Sequence, residues 1–293
     1  MIPSLPRPAW LRAATALYLV GFLAFLFLPL IVVGVFAFND APYPAPPWRG
    51  FTLDWFVGNS GSLRIGLFAD RDLLGSIWTS CIVAAWVTLL SVLLGTCNAF
   101  LIERQRFVGK QALSILMLAP LVIPGVILGI SILAFASRVA EFADDAFGWD
   151  VDFLRPGLPL VVLGQFSYIA TIATLTISAR LRRFDRTLEE AALNLGASRP
   201  AVLRTIIFPY LRPALLGSAA ISFLMSFADF NTTLMLVGAD SPLTVMMYGR
   251  MREGASPVLN AVSLFLMLAS AVLALTFMRG GPARSNAANP KPP

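Results

Sequence analysis

Residues 180–213 read RLRRFDRTLEEAALNLGASRPAVLRTIIFPYLRP, the longest charged interruption between two apolar runs in the chain. Seven of its residues are arginine: Arg180, Arg182, Arg183, Arg186, Arg199, Arg204 and Arg212. It also holds two punctuated helical patterns, which a solvated tether would not need. Thr187 and Glu190 have the S/T-x-x-E spacing of a capping box, in which a hydroxyl and a carboxylate each serve a free backbone N–H. The spacing predicts a helix over Leu188 to Leu195, ended by Gly196, a residue able to take positive φ. Pro200 fits the start of a second helix, where its missing N–H costs nothing, and Pro209 is expected to stop that helix. Ala191, Ala192, Leu195, Val202, Leu203 and Ile206 give the pair an apolar side. Two readings are open: an interfacial hairpin lying on anionic lipid, or a bent helix pair offering a small-residue face to something outside the membrane.

The rest of the composition places this stretch in a membrane protein. The chain is 57% hydrophobic and 13% charged, with a mean hydropathy of +0.77, whereas a soluble domain carries about a quarter charged residues. The formal charge of +6 does not point to nucleic acid, because the arginines cluster between apolar runs, where lipid headgroups and membrane orientation account for them. Cys81 and Cys97 fall in one apolar run, sixteen positions apart, too far along a helix to bond to each other; they read as packing residues. Histidine is absent, which removes the commonest general base and metal ligand and leaves neither a catalytic triad nor a zinc site. There is no G-x-x-x-x-G-K-[ST] stretch, so if ATP drives this system another chain hydrolyses it.

Six apolar runs are long enough to cross a hydrocarbon core of about 30 Å: Thr15 to Phe38, Leu74 to Leu101, Ala112 to Ser137, Gly157 to Ala179, Ala214 to Val237 and Pro257 to Met278. The first follows Arg7 and Arg12 but is too long for a secretory signal and is read as a retained helix. The expected organisation is a cytoplasmic N-terminus (1–14), an all-α six-helix transmembrane domain (15–278) and a disordered cytoplasmic tail (279–293). Fifteen of the 22 lysines and arginines fall on the side of the termini and of 180–213, seven on the other. The positive-inside rule therefore places both ends and that loop in the cytoplasm.

The opposite loops have their own character. Residues 39–73 begin APYPAPPWRGF after Asp40 and carry Trp48 and Trp55, which fits an external docking ledge or an aromatic belt with a stiff linker. Residues 138–156 carry Glu141, Asp144, Asp145, Asp150 and Asp152, which either gather a cation or keep the loop solvated. Pro120 and Ile123-Pro124-Gly125 break the third run near its centre, a position tolerated only beside protein or a water-filled path. Asp229 is the only ionisable residue well inside any run, beside Ser226, Phe230, Asn231, Thr232 and Thr233. A carboxylate there costs roughly 2.5 to 3.5 kcal/mol on insertion scales. It either lines a path, paired with a cation, or sits at the outer edge of a helix that ends early.

Glu190-Ala191-Ala192, Gly196, Ile206 and Phe208-Pro209 fall at the offsets of the EAA loop, and in this the chain resembles importer permeases of the ATP-binding-cassette class, with Phe208 in place of the usual leucine. The resemblance implies the type I importer permease fold. It also implies that the loop is the coupling helix seated in a separate ATPase, with Glu189, Glu190, Ala191, Ala192, Leu195, Gly196, Ala197, Arg204 and Pro209 in that contact. Phe38-Asn39, Trp48 to Thr52 with Trp55, Arg106 to Lys110 and Ser256 to Ala261 resemble, more closely, the second permease of spermidine/putrescine-type importers. That implies a bacterial inner-membrane subunit with no catalysis and no cofactor of its own, ATP and Mg being held by the ATPase. Its partners would be a second permease, two ATP-binding subunits, a periplasmic solute-binding protein and lipid, with no nucleic acid. A path near Asp229, Phe230, Asn231, Thr232, Trp55, Pro120 and Pro124 would suit a polyamine by charge attraction and cation–π contact. Leu121 departs from permeases that are acidic at this point, and related permeases carry aminoethylphosphonate, ferric iron or other small solutes. The competing class is an ion-coupled secondary transporter with Asp229 as the ion carrier.

Overall fold

In the computed structural model, which describes residues 8–58, 65–254 and 256–279, the chain is helical throughout and no sheet occurs among the described residues. The helices are α1 (Ala9–Phe36), α2 (Asp54–Val57), α3 (Arg71–Arg104), α4 (Lys110–Val122), α5 (Gly125–Phe147), α6 (Leu158–Leu181), α7 (Thr187–Asn194), α8 (Arg199–Val202), α9 (Phe208–Ala228), α10 (Asn231–Leu236), α11 (Leu243–Glu253) and α12 (Val258–Arg279). Five stretches are long and apolar enough to span a bilayer: α1, α3, α5, α6 and the continuous run Arg199–Ala228. Two shorter apolar stretches accompany them, Lys110–Val122 and Val258–Val272. The expected tail beyond Arg279 lies outside the described residues.

Two of the expected runs are built differently. The third is not one kinked span: α4 stops at Val122, Ile123 and Pro124 are extended, and α5 begins at Gly125 and runs 23 residues, past the expected end at Ser137. The residue before a proline is held out of the helical region, so Pro124 ends α4 and starts α5. The fifth run starts earlier and stops sooner. A turn of π-helix, Leu203–Ile207, joins α8 to α9, and the helix ends at Ala228. Pro209 therefore does not stop the second helix of the loop. The widened turn resets the hydrogen-bond register and leaves Pro209 in the first turn of α9, where an N–H is not needed.

The described residues fall into two units, one drawn from Met1–Arg71 and Arg250–Ala269, the other from Asp72–Gly249 and Ser270–Pro293. In the first, α1 buries none of its residues, as expected of a helix apolar on every side with a bilayer for solvent. After α1 the chain turns on Asn39, whose Oδ1 accepts the Arg49 N–H at 2.8 Å, whose Nδ2 donates to the Pro47 carbonyl at 3.2 Å and whose carbonyl accepts the Trp55 indole N–H at 2.8 Å. Trp55 packs on Val258 and Ala261 and is 5% exposed, while Trp48 is exposed.

In the second unit α6 is the axis. Twelve of its residues between Leu160 and Leu181 are buried, against α4, α5, α9 and α10, while Leu163 and Leu175 stay exposed. Small residues set the closest approaches, as van der Waals packing between membrane helices requires. A Cβ on Gly129 of α5 would stand 2.8 Å from the Met235 Cβ, one on Gly125 3.0 Å from the Asn231 Cβ, and one on Gly164 of α6 would collide with Leu236. The six-residue α10 is thus wedged between α5 and α6. Gly129→Leu should overpack that seat at a cost of about 1 to 3 kcal/mol, lowering the thermal midpoint of the purified chain in detergent. Gly217→Leu, at a position with open space beyond its Cα, should leave the midpoint unchanged.

Candidate functional site

Two regions gather the residues singled out from the sequence. The first is the folded loop 182–207. Gly196 has φ +88°, the left-handed turn expected of it, and ends α7. Ser198 Oγ accepts the Ala201 N–H, and α8 starts with Pro200 in its first turn. The expected Thr187–Glu190 capping box is not formed. Asp185 takes the role instead: its Oδ1 accepts both the Thr187 N–H at 3.0 Å and the Thr187 hydroxyl at 2.8 Å. These two bonds hold the exposed Asp185 carboxyl below the usual carboxylate range. Asp185 thereby takes the Thr187 N–H that the Glu190 carboxylate would have served, and the Glu190 N–H goes to the Arg186 carbonyl at 3.1 Å.

The loop has an inside and an outside. Ala192 and Ala197 pack onto a core of Ala99, Ile177, Leu181, Phe184, Val202, Ile207 and Leu211. Glu189 turns inward to the Arg104 guanidinium at 2.9 Å. Glu190, Ala191, Leu195, Gly196, Arg204 and Pro209 face outward, Leu195 being 88% exposed. Two arginines fasten the loop to its own protein, and a third ties together the helices that flank it. Arg182 forks onto Glu103, with Nη2 at 2.8 Å and Nε at 3.3 Å, Arg186 reaches the Glu103 carbonyl at 3.0 Å, and Arg180 lies 4.2 Å over the Tyr210 ring. Between α3 and the loop opens a cleft of about 550 Å³ whose wall includes Phe100, Arg104, Arg186, Glu189, Leu193 and Arg199.

The second region is the break between α9 and α10. Asp229 is extended, with φ −68° and ψ 126°, and half-buried. Its Oδ2 accepts the Thr233 N–H at 2.9 Å and the Thr233 hydroxyl at 2.7 Å, and its Oδ1 accepts the Tyr168 hydroxyl at 3.1 Å. The helix therefore ends early, as one of the two readings required, and the carboxylate caps α10. No ion pair to Asp229 occurs among the described residues. The network runs deeper: Gln165 Nε2 donates to Thr233 Oγ1 at 2.8 Å, and Ser226 Oγ donates to Gln165 Oε1. The Phe230 ring meets that of Tyr248 at a tilt of 54°, 4.9 Å between centroids, Asn231 is exposed, and Thr232 is buried against Gly125 with its hydroxyl unpaired. Pro120 is half-buried within α4 and Pro124 exposed at the start of α5. Trp55 belongs to the other unit, and its indole is occupied by Asn39.

In both regions a carboxylate holds the hydroxyl and the N–H of a nearby threonine at a helix start, and no group of three potential metal ligands occurs among the described residues. The sequence profile of the binding-protein-dependent transport system inner membrane component matches residues 88–280. The chain belongs to that family. It is therefore a multi-pass inner-membrane permease subunit of an ATP-binding-cassette importer and not an enzyme. It is 28% identical over 251 residues to the putrescine transport system permease PotI of Escherichia coli K12, covering 85% of this chain and 83% of that one. It is 27% identical over 262 residues to the spermidine/putrescine permease PotC of the same strain, covering 89% of each. A crystal structure of a bacterial transporter that imports alginate superposes with a TM-score of 0.73 at 20% identity, over 92% of this chain and 94% of that one. The fold is that of a type I importer permease.

The polar residues missed in the sequence are Gln165, Tyr168, Glu103 and Asp185. Gln165 left a signal, a lone amide in the apolar run LVVLGQFSYIA, and such a residue faces a bundle interior. Gln165→Leu should leave the Ser226 hydroxyl without a partner, while Thr233 keeps its bond to Asp229, and lower the thermal midpoint, at a cost of about 1 to 3 kcal/mol. Thr176→Val, whose hydroxyl serves only its own helix at Ile172, should change it little.

Proposed function

We propose that this permease subunit works beside a second permease, with two ATP-binding subunits gripping residues 180–213 of this chain and its equivalent in the partner, and a periplasmic protein delivering a polyamine. The observation that carries this reading is the two-sided loop. Its inner side is fixed by Ala192, Ala197 and Glu189, while Glu190, Ala191 and Leu195 are held outward on a helix whose end is set by Gly196. An exposed alanine and leucine on so firmly fastened a helix suit the groove of a protein partner better than a lipid surface, which would need no fixed shape. Both termini and this loop then lie in the cytoplasm, in line with the excess of arginine there. ATP and Mg belong to the ATP-binding subunits. Closure of these subunits draws the coupling loops together and rocks the bundles from inward-open to outward-open, and hydrolysis resets them.

Similarity to permeases named for putrescine and spermidine supports a polyamine as the cargo. So does the environment of Asp229, a half-buried carboxylate beside Tyr168 and Phe230, since a flexible polycation binds well to fixed negative charge edged by aromatic faces.

Two substitutions in the reconstituted assembly test the two parts. Gly196→Val places a β-branched residue at φ +88°. It should cut uptake per ATP hydrolysed by up to about a hundredfold while the chain still reaches the membrane; unchanged uptake would remove the loop from coupling. Asp229→Asn keeps an oxygen for Thr233 and loses the charge. Putrescine and spermidine uptake should fall about tenfold or more, as for a lost charge contact, with assembly intact. Equal losses of assembly and uptake would make Asp229 a cap and nothing else.

A further inference from the structure

The chain itself joins residues 182–207 to α6 and α9. A third helix, α3, is held to the same loop by charge. Arg104 at its last turn pairs with Glu189 at 2.9 Å and lies 5.4 Å from the Phe184 ring centre, and Glu103 receives Arg182 and Arg186. These contacts are not equal. Arg182 is 72% exposed, so water screens much of its pairing, whereas the Arg104 and Glu189 side chains are 16% and 32% exposed and hold each other in a poorer solvent. Two turns further in, Gly95 lies so close to α6 that a Cβ there would stand 2.8 Å from the Ala173 Cβ, which fixes α3 against sideways slip.

The far end of α3 is fastened too. Ser80 Oγ accepts the buried Leu243 N–H at 2.8 Å, and the Ser76 hydroxyl donates to the Met246 sulfur at 2.8 Å. The next residue along, Thr244, donates its hydroxyl to the Asp229 carbonyl at 2.8 Å. One helix of 34 residues, about 50 Å long at 1.5 Å per residue, thus touches the coupling loop at one end and the segment that closes the α9–α10 break at the other. It contains no proline. Its neighbours α4 and α9 carry Pro120 and Pro213 inside them and end at breaks. A displacement entering a broken helix is absorbed at its hinge, while one entering a continuous helix arrives at the other end.

We propose that α3 is the strut that carries movement of the coupling loop to residues 240–244 and hence to the Asp229 break, with Arg104 as a positioning residue for that transfer. The inference rests on the importer reading and adds to it the route by which the loop acts. The two fastenings are far apart, and each can be cut alone.

The test uses the full assembly in liposomes, with Cys81 and Cys97 replaced by alanine and a single Ser241→Cys reporter at the half-buried position beside Pro242. The rate of its modification by a membrane-impermeant maleimide is compared without nucleotide and after trapping with Mg-ATP and vanadate. The parent should show a change of about fivefold or more, the lower end of ordinary coupling. Arg104→Gln and Ser80→Ala should each bring that ratio toward one, although the ATP-binding subunits still co-purify and hydrolyse ATP, and Arg104→Lys should restore it. Ser80→Ala never touches the loop, so a matching loss there cannot come from a damaged ATPase seat. An unchanged ratio in both variants overturns the strut, as does a parent that takes up solute with ATP yet shows no change at Ser241→Cys. A parent with no ATP-driven uptake at all overturns the importer reading and the strut with it.

Discussion

A helix that stops short leaves backbone donors and acceptors that need new partners, and the second unit is arranged around satisfying one such stop. α9 ends at Ala228, and the chain re-enters as the six residues of α10. Asp229 takes the Thr233 N–H at the new N-terminus, and the Gly157 N–H closes the far end by donating to the Leu236 carbonyl at 2.9 Å. Val237 and Leu234 find acceptors within the turn itself. Non-helical backbone in a bundle of apolar helices persists only where the protein supplies such partners. Every other feature of α10 serves to keep it in reach of them: glycines on α5 and α6 bring the backbones close, and Gln165 reaches across to Thr233 and Ser226.

The loop of residues 182–207 solves the opposite problem. It lies in a polar setting and has to keep a fixed shape without a bilayer around it. Its small core and its arginine contacts achieve this together, Arg182 forking onto the Glu103 carboxylate and Arg186 reaching the Glu103 carbonyl. The loop's outward face then stays available for docking without any loss of its own order.

Periodicity and length made the helical class and most of the apolar runs legible, and two residues with singular backbone chemistry, Gly196 and Pro200, marked the bend of the loop at the right places. What stayed hidden was decided by competition between partners. Thr187 and Glu190 have the spacing of a box, but Asp185, two residues earlier, offers a carboxylate of its own that takes both the N–H and the hydroxyl of Thr187. Pro209 looks like a stop, and a turn of π-helix turns it into a first-turn residue. Trp55 reads as a free aromatic face, yet its indole N–H must find an acceptor once buried and finds the Asn39 carbonyl. None of these outcomes depends on spacing along the chain alone.

The two readings of Asp229, a cap or a contact for solute, do not compete for the same atoms. A carboxylate has about four acceptor positions. Thr233 fills two on Oδ2, and Tyr168 fills one on Oδ1. Those neutral donors fix the direction of the group without cancelling its charge, and no cation among the described residues does so. Capping thus fixes the direction of the Asp229 carboxylate without giving it a cationic partner, which is what the proposed contact with a positively charged solute requires. A carboxylate left free to rotate would have to be ordered by its ligand. This one is ordered by the turn it holds together, so the same bonds that let the helix break also prepare the charge.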